Sequence, residues 1–227
     1  MESYNIKAIA HIENDFTEKF GIPRQSGLAE VVSRIVFEPE YRVKEAFRGL
    51  EEYSHIWILW QFSKAMREEW SPTVRPPRLG GNTRMGVFAT RSPFRPNSIG
   101  MSSVKLLKID FDEPDGPVLY VSGADILSGT PVFDIKPYLS YTDSHPDACD
   151  GFALSDKEGA LEVTFPAPLL KLIPESKRDG LISILSQDPR PQYQNSPDKI
   201  YSMQFGSFDI SFNVNDTLLS VTDVKKL

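Results

Sequence analysis

The chain of 227 residues is 40% hydrophobic and 25% charged, a balance typical of one large globular domain with or without a small appendage. Its single cysteine, Cys149, excludes an internal disulfide and any multi-cysteine zinc site, and its three histidines are too far apart in sequence to suggest metal binding. The apolar run at 56–60 is far shorter than a membrane span, and the first residues lack the pattern of a signal peptide. We therefore expect a cytoplasmic protein with no metal site and no membrane segment.

The charges are unevenly distributed along the chain. The net charge of −6 by itself argues against nucleic-acid binding. However, positions 70–109 contain no Asp or Glu, although about five of the 31 acidic residues would fall in such a window by chance. The basic residues of this acid-free segment are Arg75, Arg78, Arg84, Arg91, Arg95, Lys105 and Lys108. Because the arginines alternate with Gly, Pro and Asn rather than with helix-forming residues, we interpret the segment as a functional surface, the alternative being a solvated strand-and-loop region.

Residues 1–145 contain mainly short strand patterns. Short runs that alternate apolar and polar residues, or that are densely apolar, predict strands at 4–12, 28–37, 54–62, 84–90, 99–109, 118–124 and 132–137. The spacing of Val43, Phe47 and Leu50 predicts a helix over 41–50, and the apolar surroundings of His55 predict that this side chain lies in the core. Many short strands with few helices favour a closed barrel, since closure removes exposed sheet edges.

The composition changes after residue 141. Residues 142–159 are polar and acidic, which is typical of a loop or linker and indicates a boundary near residue 145. Beyond it the sequence predicts a strand at 161–165, helices at 168–172 and 178–186, and a strand pair at 200–205 and 208–214. We therefore predict a mainly β protein, with a β-barrel domain at 1–145 and a small C-terminal α+β domain at 146–227.

Common catalytic motifs are missing from the sequence. It contains no glycine-rich phosphate loop, no G-x-S-x-G, no H-E-x-x-H and no G-x-G-x-x-G, and the pair Gly80-Gly81 lacks a following lysine. A doubly wound nucleotide-binding enzyme is therefore disfavoured. Composition and patterning alone support only a β-rich protein with an arginine-rich functional surface.

Five segments carry a more specific resemblance. They are PRQSG (23–27), RGLEEYSHIWIL (48–59), RPPRLGGNTRMGVFATRSPFRPNSIGMS (75–102), DILSGTPVFDIKPYL (125–139) and QDPRPQY (187–193). Together they closely resemble the TsaA-like, or TrmO, family of tRNA methyltransferases, and the similarity runs in order from about residue 5 to residue 214. The resemblance implies a β-barrel methyltransferase domain, a homodimer, S-adenosylmethionine as methyl donor and tRNA as acceptor. In that family the methyl group goes to the exocyclic nitrogen N6 of threonylcarbamoyladenosine on the 3′ side of the anticodon.

The resemblance also implies which residues contact the cofactor. Arg91 follows a predicted strand and matches an arginine that would hold the methionine carboxylate in a bidentate pair. Met101 matches a position that lines the adenosine pocket, although a core methionine is an equally good interpretation. Ser63 and Lys64 stand where related sequences often carry His-Gln. The cofactor residues implied in this way are Pro23, Arg24, Gln25, Ser63, Lys64, Arg91, Met101, Asp125, Ile126, Leu127 and Ser128.

A second set of residues is predicted to contact the substrate. Pro93 and Pro96 restrict the backbone around Arg95 and are expected to hold its side chain outward, towards a phosphate or the bound cofactor. Asp134 and Lys136 share one face of a strand, where they either orient the substrate, with Asp134 as the candidate orienting residue, or form a surface salt bridge. The predicted substrate-binding residues are Arg75, Arg78, Arg95, Lys136, Asp188, Arg190 and Tyr193, with Tyr193 stacking on a base and Arg190 binding phosphate.

Methyl transfer from a sulfonium to nitrogen is an in-line displacement that a site accelerates mainly by alignment and by excluding water. A strong general base is not required, because the product nitrogen can lose its proton after the methyl group arrives. We therefore assign no catalytic base from the sequence. The main alternative is a non-enzymatic β-barrel module that binds S-adenosylmethionine or RNA as a regulatory subunit, and a barrel hydrolase is a weaker third possibility, since no nucleophile–base motif is present.

Overall fold

The computed structural model describes residues 2–64, 69–156, 160–190, 196 and 199–227. Its strands are β1 (Ala10–Glu13), β2 (Val32–Phe37), β3 (His55–Gln61), β4 (Thr73–Val74), β5 (Met85–Gly86), β6 (Ile99–Asp110), β7 (Val118–Ser122), β8 (Pro131–Pro137), β9 (Glu162–Thr164), β10 (Tyr201–Phe205), β11 (Phe208–Asn215) and β12 (Leu218–Lys226). Its α-helices are α1 (Ser140–Asp143), α2 (Ala167–Leu170) and α3 (Glu175–Ser186).

Six strands form the predicted closed barrel. They are antiparallel throughout, in the order β1-β2-β7-β6-β3-β8, and β8 pairs with β1 to close the sheet. The strands β4 and β5 form a separate hairpin between β3 and β6. Because the barrel is closed, its strands leave no long unpaired edge. The prediction of a mainly β protein with a barrel domain is therefore confirmed.

The alternation of side chains along β3 shows how the barrel core is built. Ile56, Ile58 and Trp60 point inward and are 0%, 0% and 6% exposed. His55 precedes the first inward position and is exposed, with its Nδ1 2.9 Å from the Ser54 hydroxyl. The prediction that His55 lies in the core is therefore wrong, because the apolar composition of the strand hid the face on which this residue falls.

The predicted helix over 41–50 is replaced by short 3₁₀ turns at Pro39–Tyr41, Lys44–Phe47 and Leu50–Glu52. Of the three residues expected to share a helix face, Phe47 is buried against the ring of Phe37, whereas Val43 is 52% exposed. Gly49 has a φ of 84°, which interrupts any right-handed helix at this point. The predicted helix is therefore wrong, although Phe47 and Leu50 both pack on the barrel core from separate 3₁₀ turns.

Two predicted strands lose more than half of their expected length. Residues 4–9 lie outside any strand, and Tyr4 and Ile6 are 81% and 58% exposed, so their alternation does not mark a buried face. The strand expected at 84–90 is reduced to β5, followed by a 3₁₀ turn at Val87–Ala89. Alternation alone does not form a strand where no neighbouring strand pairs with it.

The C-terminal sheet has the order β10-β11-β12-β9, with β9 parallel to β12 and the other pairs antiparallel. The sequence predicted β10 and β11 but missed β12. Its inward residues Leu219, Val221 and Val224 break the spacing of two, because the pairing with β11 shifts register at a bulge beside Ser211 and Phe212. The small C-terminal α+β domain is otherwise as predicted.

The connection between β1 and β2 belongs to both halves of the molecule. Phe16, Ala29 and Val31 are buried in the same hydrophobic cluster as the C-terminal sheet and α3. The backbone N–H of Gly206 donates to the carbonyl of Asp15 at 2.8 Å, and Lys177 of α3 forms an ion pair with the Asp15 carboxylate at 2.6 Å. The two ends of this connection are therefore held by the C-terminal domain.

Candidate active site

A cavity of about 640 Å³ lies at one end of the barrel. Residues close to the ends of β1, β3 and β7 and to the starts of β6 and β8 line it, and in an antiparallel barrel these strand termini meet at the same end. The connections that contribute to its wall contain residues 22–26, 61–64 and 90–95. This volume is within the range of cavities that hold small organic ligands.

The wall of the cavity contains a close contact between Trp60 and Gly100. A Cβ atom added at Gly100 would lie 2.3 Å from the Trp60 indole, so no side chain fits beneath this ring. Met101, next to Gly100, points the other way and is 57% exposed. The interpretation of Met101 as a core methionine is therefore wrong, and its side chain lines the cavity.

A chain of hydrogen bonds leads from the barrel core to a carboxyl group in the cavity. The indole Nε1 of Trp60 donates to the Ser102 hydroxyl at 3.0 Å, and that hydroxyl donates to Asp125 Oδ1 at 2.5 Å. Burial raises the pKa of the Asp125 carboxyl above its ordinary value, although the hydrogen bond from Ser102 and the charge of Arg91 act in the opposite direction. Asp125 is thus a fixed, partly desolvated acid in the cavity wall.

The loop at 23–26 and the segment after β5 meet across the cavity mouth. Pro23, Arg24 and Gln25 all line the cavity, as does Arg91. The Arg91 guanidinium donates a short hydrogen bond to the side-chain oxygen of Gln25. Residues far apart in sequence therefore present an arginine fork and an amide together, a donor set that suits a carboxylate or hydroxyl groups.

The turn that follows β7 contributes only part of its predicted set. Asp125 and Leu127 line the cavity, whereas Ile126 is fully buried in the barrel core. The Ser128 hydroxyl accepts a hydrogen bond from the backbone N–H of Asn14 at 3.2 Å. Ile126 and Ser128 thus hold the turn in place, and their side chains do not line the cavity.

Asn14 is a residue that the sequence analysis missed. Its side-chain amide donates to the carbonyl of Ile126 at 2.9 Å and to the Ser33 hydroxyl at 3.2 Å, and its side-chain oxygen accepts from the N–H of Phe16. Asn14 therefore joins the start of the β1–β2 connection to the turn that carries Asp125. Nothing in the local sequence around Asn14 indicates this role, because Ile126 is more than a hundred positions away and Ser33 lies on another strand.

The charges around the cavity are strongly asymmetric. Among the described residues that line it, the basic ones are Lys19, Arg24, Lys64, Arg91 and Arg95, and Asp125 is the single acidic one. Lys19 donates to the backbone carbonyl of Lys64 at 2.8 Å, which also places the predicted pair Ser63-Lys64 at the cavity. This composition favours ligands that present anionic groups, such as a carboxylate or phosphates, and leaves one acidic side chain for a positive or hydrogen-bond-donating group.

Arg95 lines the cavity but is not directed outward as predicted. Its Nη1 donates to the backbone carbonyl of Thr90 at 2.7 Å and approaches that of Ser92 at 3.4 Å. The predicted orientation is therefore wrong. The proline-restricted turn brings these carbonyls back towards the guanidinium, which closes the loop at 90–95 on itself.

Among the predicted substrate residues whose side chains the structure describes, Lys136, Asp188, Arg190 and Arg75 do not line the cavity. Lys136 forms a salt bridge with Asp134 at 2.9 Å on the outer face of β8, the arrangement given as the alternative for this pair. Arg190 is 9% exposed, and Nε and Nη2 both donate to the Asp188 carboxylate at 2.8 Å. Arg190 is thus a buried structural partner of Asp188 and is not presented to a phosphate. Arg75 is exposed on the connection between β4 and β5.

Two predicted substrate contacts lie outside the described part of the structure. Tyr193 lies in a segment that the structure does not describe. For Arg78 the structure describes the backbone but not the side chain. The cavity also contains side chains that the sequence analysis did not assign to it, among them Trp57, Phe62 and Phe94. The apolar strand pattern around Trp57 indicated burial, but not that this ring lies on the outer face of β3 beside Met101.

In the described part of the chain, no three His, Cys, Asp or Glu side chains are grouped so that they could hold a metal ion. None of the helices in the same residues combines the length and the apolar character that crossing a membrane requires.

The closed barrel with a basic cavity at its strand ends defines a β-barrel ligand-binding protein with an appended α+β domain, and not a doubly wound nucleotide-binding enzyme. A family model for the tRNA-methyltransferase O N-terminal domain matches residues 11–144, and a model for the TrmO C-terminal domain matches residues 160–227. The chain therefore belongs to the tRNA-methyltransferase O (TrmO) family.

Individual relatives resemble the chain over nearly its whole length. A tRNA (adenine(37)-N6)-methyltransferase of Escherichia coli K12 is 42% identical over 225 residues, which cover 95% of each chain. A Pseudomonas aeruginosa protein with the provisional name S-adenosylmethionine-dependent methyltransferase RcsF is 37% identical over 239 residues, covering 98% of each. A crystal structure of TrmO from Pseudomonas aeruginosa superposes with a TM-score of 0.78 at 31% identity and covers 99% of both chains.

Proposed function

We propose that the chain transfers a methyl group from S-adenosylmethionine to the exocyclic N6 of threonylcarbamoyladenosine, next to the anticodon of tRNA. Family membership and the near full-length similarity to an E. coli tRNA (adenine(37)-N6)-methyltransferase support this activity. The observation that carries the proposal is the cavity itself, whose described lining includes one partly buried carboxyl group and five basic side chains.

The residues around the cavity fit the proposed methyl donor. S-adenosylmethionine carries a carboxylate, a primary ammonium group, a sulfonium and an adenine. Arg91 and Arg24 would hold the carboxylate, and Asp125 would face the sulfonium, because it is the acidic side chain among the described lining residues. Phe62 and Phe94 offer apolar contacts for the adenine, and Met101 offers a soft one.

The bound cofactor would supply an electrophilic methyl group, and the protein residues would supply alignment and exclusion of water. The chain Trp60–Ser102–Asp125 keeps the carboxyl group in one position, so that little reorganisation accompanies binding. Asp134, named above as a candidate orienting residue, lies on the outer face with Lys136. We therefore propose Asp125 for the electrostatic role and again assign no general base.

The acid-free segment 70–109 is the surface that we propose for tRNA. Arg75 and Arg84 are exposed on it, and Arg91 lies where it meets the cavity. Local basic surfaces bind a polyanion despite a net negative charge, because charges beyond about 8 Å are screened at physiological salt. The described part of the C-terminal domain gives its predicted tRNA contacts, Asp188 and Arg190, a structural pairing instead.

We also propose a homodimer in the cytoplasm. Leu107 on the outer face of β6 supports self-association, since it is 45% exposed and does not line the cavity. The cytoplasmic location follows from the proposed substrate. Sedimentation at micromolar concentration tests the dimer, and a monomer there would contradict it.

Methyl transfer separates the proposed enzyme from a non-enzymatic binding module. The purified protein is incubated with methyl-labelled S-adenosylmethionine and with tRNA that carries or lacks the threonylcarbamoyl group, and the digested nucleosides are analysed by mass spectrometry. We expect a labelled N6-methyl group on the modified adenosine only. Labelling of unmodified adenosine would contradict the proposed substrate, whereas cofactor binding without any labelled tRNA would favour the binding module.

A further inference from the structure

Two large aromatic side chains are exposed next to the cavity. Trp70 and Phe88 are 53% and 73% exposed, and their rings stack on each other with centroids 6.3 Å apart and planes inclined at 28°. Such rings are normally buried, and exposed apolar surface of this kind often marks an interaction site. The other two tryptophans differ, because Trp60 is buried and Trp57 is partly buried and donates to Asp143.

The β4–β5 hairpin fixes the position of this pair. The ladder pairs Thr73 with Gly86, and it is extended by a hydrogen bond of 2.9 Å from the N–H of Val87 to the carbonyl of Pro72. The Ser71 hydroxyl donates to the carbonyl of Thr73 at 2.8 Å. Trp70 lies two residues before Pro72 and Phe88 directly follows Val87, so the hairpin backbone brings the two residues to the same end of the ladder.

Arginines lie between Trp70 and Phe88 in the chain, whereas the exposed Glu69 directly precedes Trp70. Arg75 and Arg84 are exposed on the connection that joins the two hairpin strands, and the acid-free segment starts at Trp70. Thr90 lies two residues after Phe88, lines the cavity and donates through its hydroxyl to the carbonyl of Val87 at 2.8 Å. A polyanion that reaches the cavity across this surface therefore passes the aromatic pair.

We propose that Trp70 and Phe88 form a stacking platform for a nucleobase of the tRNA that neighbours the base in the cavity, an inference that rests on the proposed function. A base that enters an enzyme cavity must leave its stack, and its neighbour then loses a stacking partner. Exposed aromatic rings beside arginines replace that contact, and they do so with little dependence on base identity. The charge of the segment favours RNA as the occupant over a second copy of this chain, because in a symmetric contact between two copies the same basic segment would face itself.

The test uses Trp70→Ala, Phe88→Ala and Trp70→Phe in the full-length protein. Tyr4→Ala is the matched control, because Tyr4 is an 81% exposed aromatic residue outside the acid-free segment. We expect each of the two platform alanine variants to weaken tRNA binding at least fivefold, roughly the loss of one stacked base, with an unchanged salt dependence. Trp70→Phe should retain most of the affinity, Tyr4→Ala all of it, and cofactor affinity should stay constant throughout. Both rings are exposed, so the thermal unfolding midpoints should match that of the unsubstituted protein.

A spectroscopic measurement locates the base. Two anticodon stem-loop RNAs carry the fluorescent base 2-aminopurine, one on the 5′ side and one on the 3′ side of the target adenosine. The unsubstituted protein should quench the fluorescence of one of these RNAs, whereas the Trp70→Ala, Phe88→Ala double variant should not. If both single alanine variants bind and methylate tRNA normally, the platform is wrong and the proposed function stands. If the unsubstituted protein neither binds nor methylates tRNA, both are wrong. If the alanine variants instead convert a dimer into a monomer, the pair joins two copies of the chain and the platform is overturned.

Discussion

The two hydrophobic cores of the molecule differ in where their residues come from. The barrel core is built from barrel strands and the segments directly attached to them. The C-terminal core also includes Phe16, Ala29 and Val31, which precede the second barrel strand. Between these residues lie Pro23, Arg24 and Gln25, which line the cavity. One connection is therefore anchored in the C-terminal domain while its middle shapes the active site.

Because this connection is anchored in the C-terminal core, the C-terminal domain supports the cavity even where its own side chains do not line it. Gly206 and Lys177 bind Asp15 at one end of the connection, and Gly180 of α3 packs closely on Glu30 and Val31 at the other. Loosening the C-terminal core should therefore disturb cofactor binding. An equal loss of packing at the far end of the barrel should not.

The largest effect is expected for Phe16→Ala. Phe16 is 2% exposed, so the truncation should lower the free energy of unfolding by about 3–5 kcal/mol and also weaken S-adenosylmethionine binding by the folded protein. The matched variant is Leu119→Ala at the start of β7, away from the cavity end, with an expected loss of about 2–5 kcal/mol and unchanged affinity. Denaturant unfolding and calorimetry measure the two quantities, and similar affinity losses in both variants would contradict the coupling.

Gly100→Ala should damage the cavity from the barrel side. The added Cβ would meet the Trp60 indole at 2.3 Å, and the overpacking should cost about 1–3 kcal/mol of unfolding free energy. Displacement of Trp60 would also break its hydrogen bond to Ser102 and change the near-ultraviolet circular dichroism. Gly86→Ala serves as the control, because nothing lies within 4 Å of its added Cβ. Normal cofactor affinity in Gly100→Ala would show that the hydrogen-bond chain does not shape the site.

Arg91→Ala tests the cavity mouth without touching either core. A charge-assisted hydrogen bond contributes about 1.5–3 kcal/mol, and because Arg91 is exposed we expect the lower end, roughly a tenfold loss of S-adenosylmethionine affinity. The unfolding free energy should hardly change. Arg42→Ala, which removes an arginine paired with Asp115 instead, should leave the affinity intact. Calorimetry giving the same affinity for both variants would remove Arg91 from the cofactor site.

The smallest effect is expected for Asp125→Asn, which should lower the preference for S-adenosylmethionine over S-adenosylhomocysteine by roughly fivefold, about 1 kcal/mol. The homocysteine product lacks the sulfonium charge that the carboxylate would face. Because burial raises the pKa of Asp125, the carboxylate is lost at a higher pH than for an ordinary aspartate. Binding of the methyl donor should therefore weaken as the pH falls through this raised pKa, and binding of the product should weaken less. Equal pH profiles for the two ligands would contradict the placement of the sulfonium.

The sequence predicted the architecture more completely than the details of the site. Strands such as β3 were identified because a dense run of apolar residues is a local signal. The loops at 23–25 and around Arg91 were identified by resemblance and do line the cavity. The orientation of Arg95 was wrong, since it depends on where the carbonyls of Thr90 and Ser92 point after the turn closes. The exposure of His55 was missed for a similar reason, because composition does not state which face of a strand meets the core.

By itself, the sequence determined the barrel, the appended α+β domain and the family, because periodicity and motifs are properties of neighbouring residues. The tertiary structure alone decided that Trp60, Ser102 and Asp125 form one hydrogen-bonded chain, and that Asn14 holds the turn carrying Asp125. It also decided that a connection between two barrel strands is anchored in the C-terminal core. These contacts join residues that are tens to more than a hundred positions apart, and a hydrogen bond or a packed ring depends on distances of a few ångströms that only the folded chain establishes.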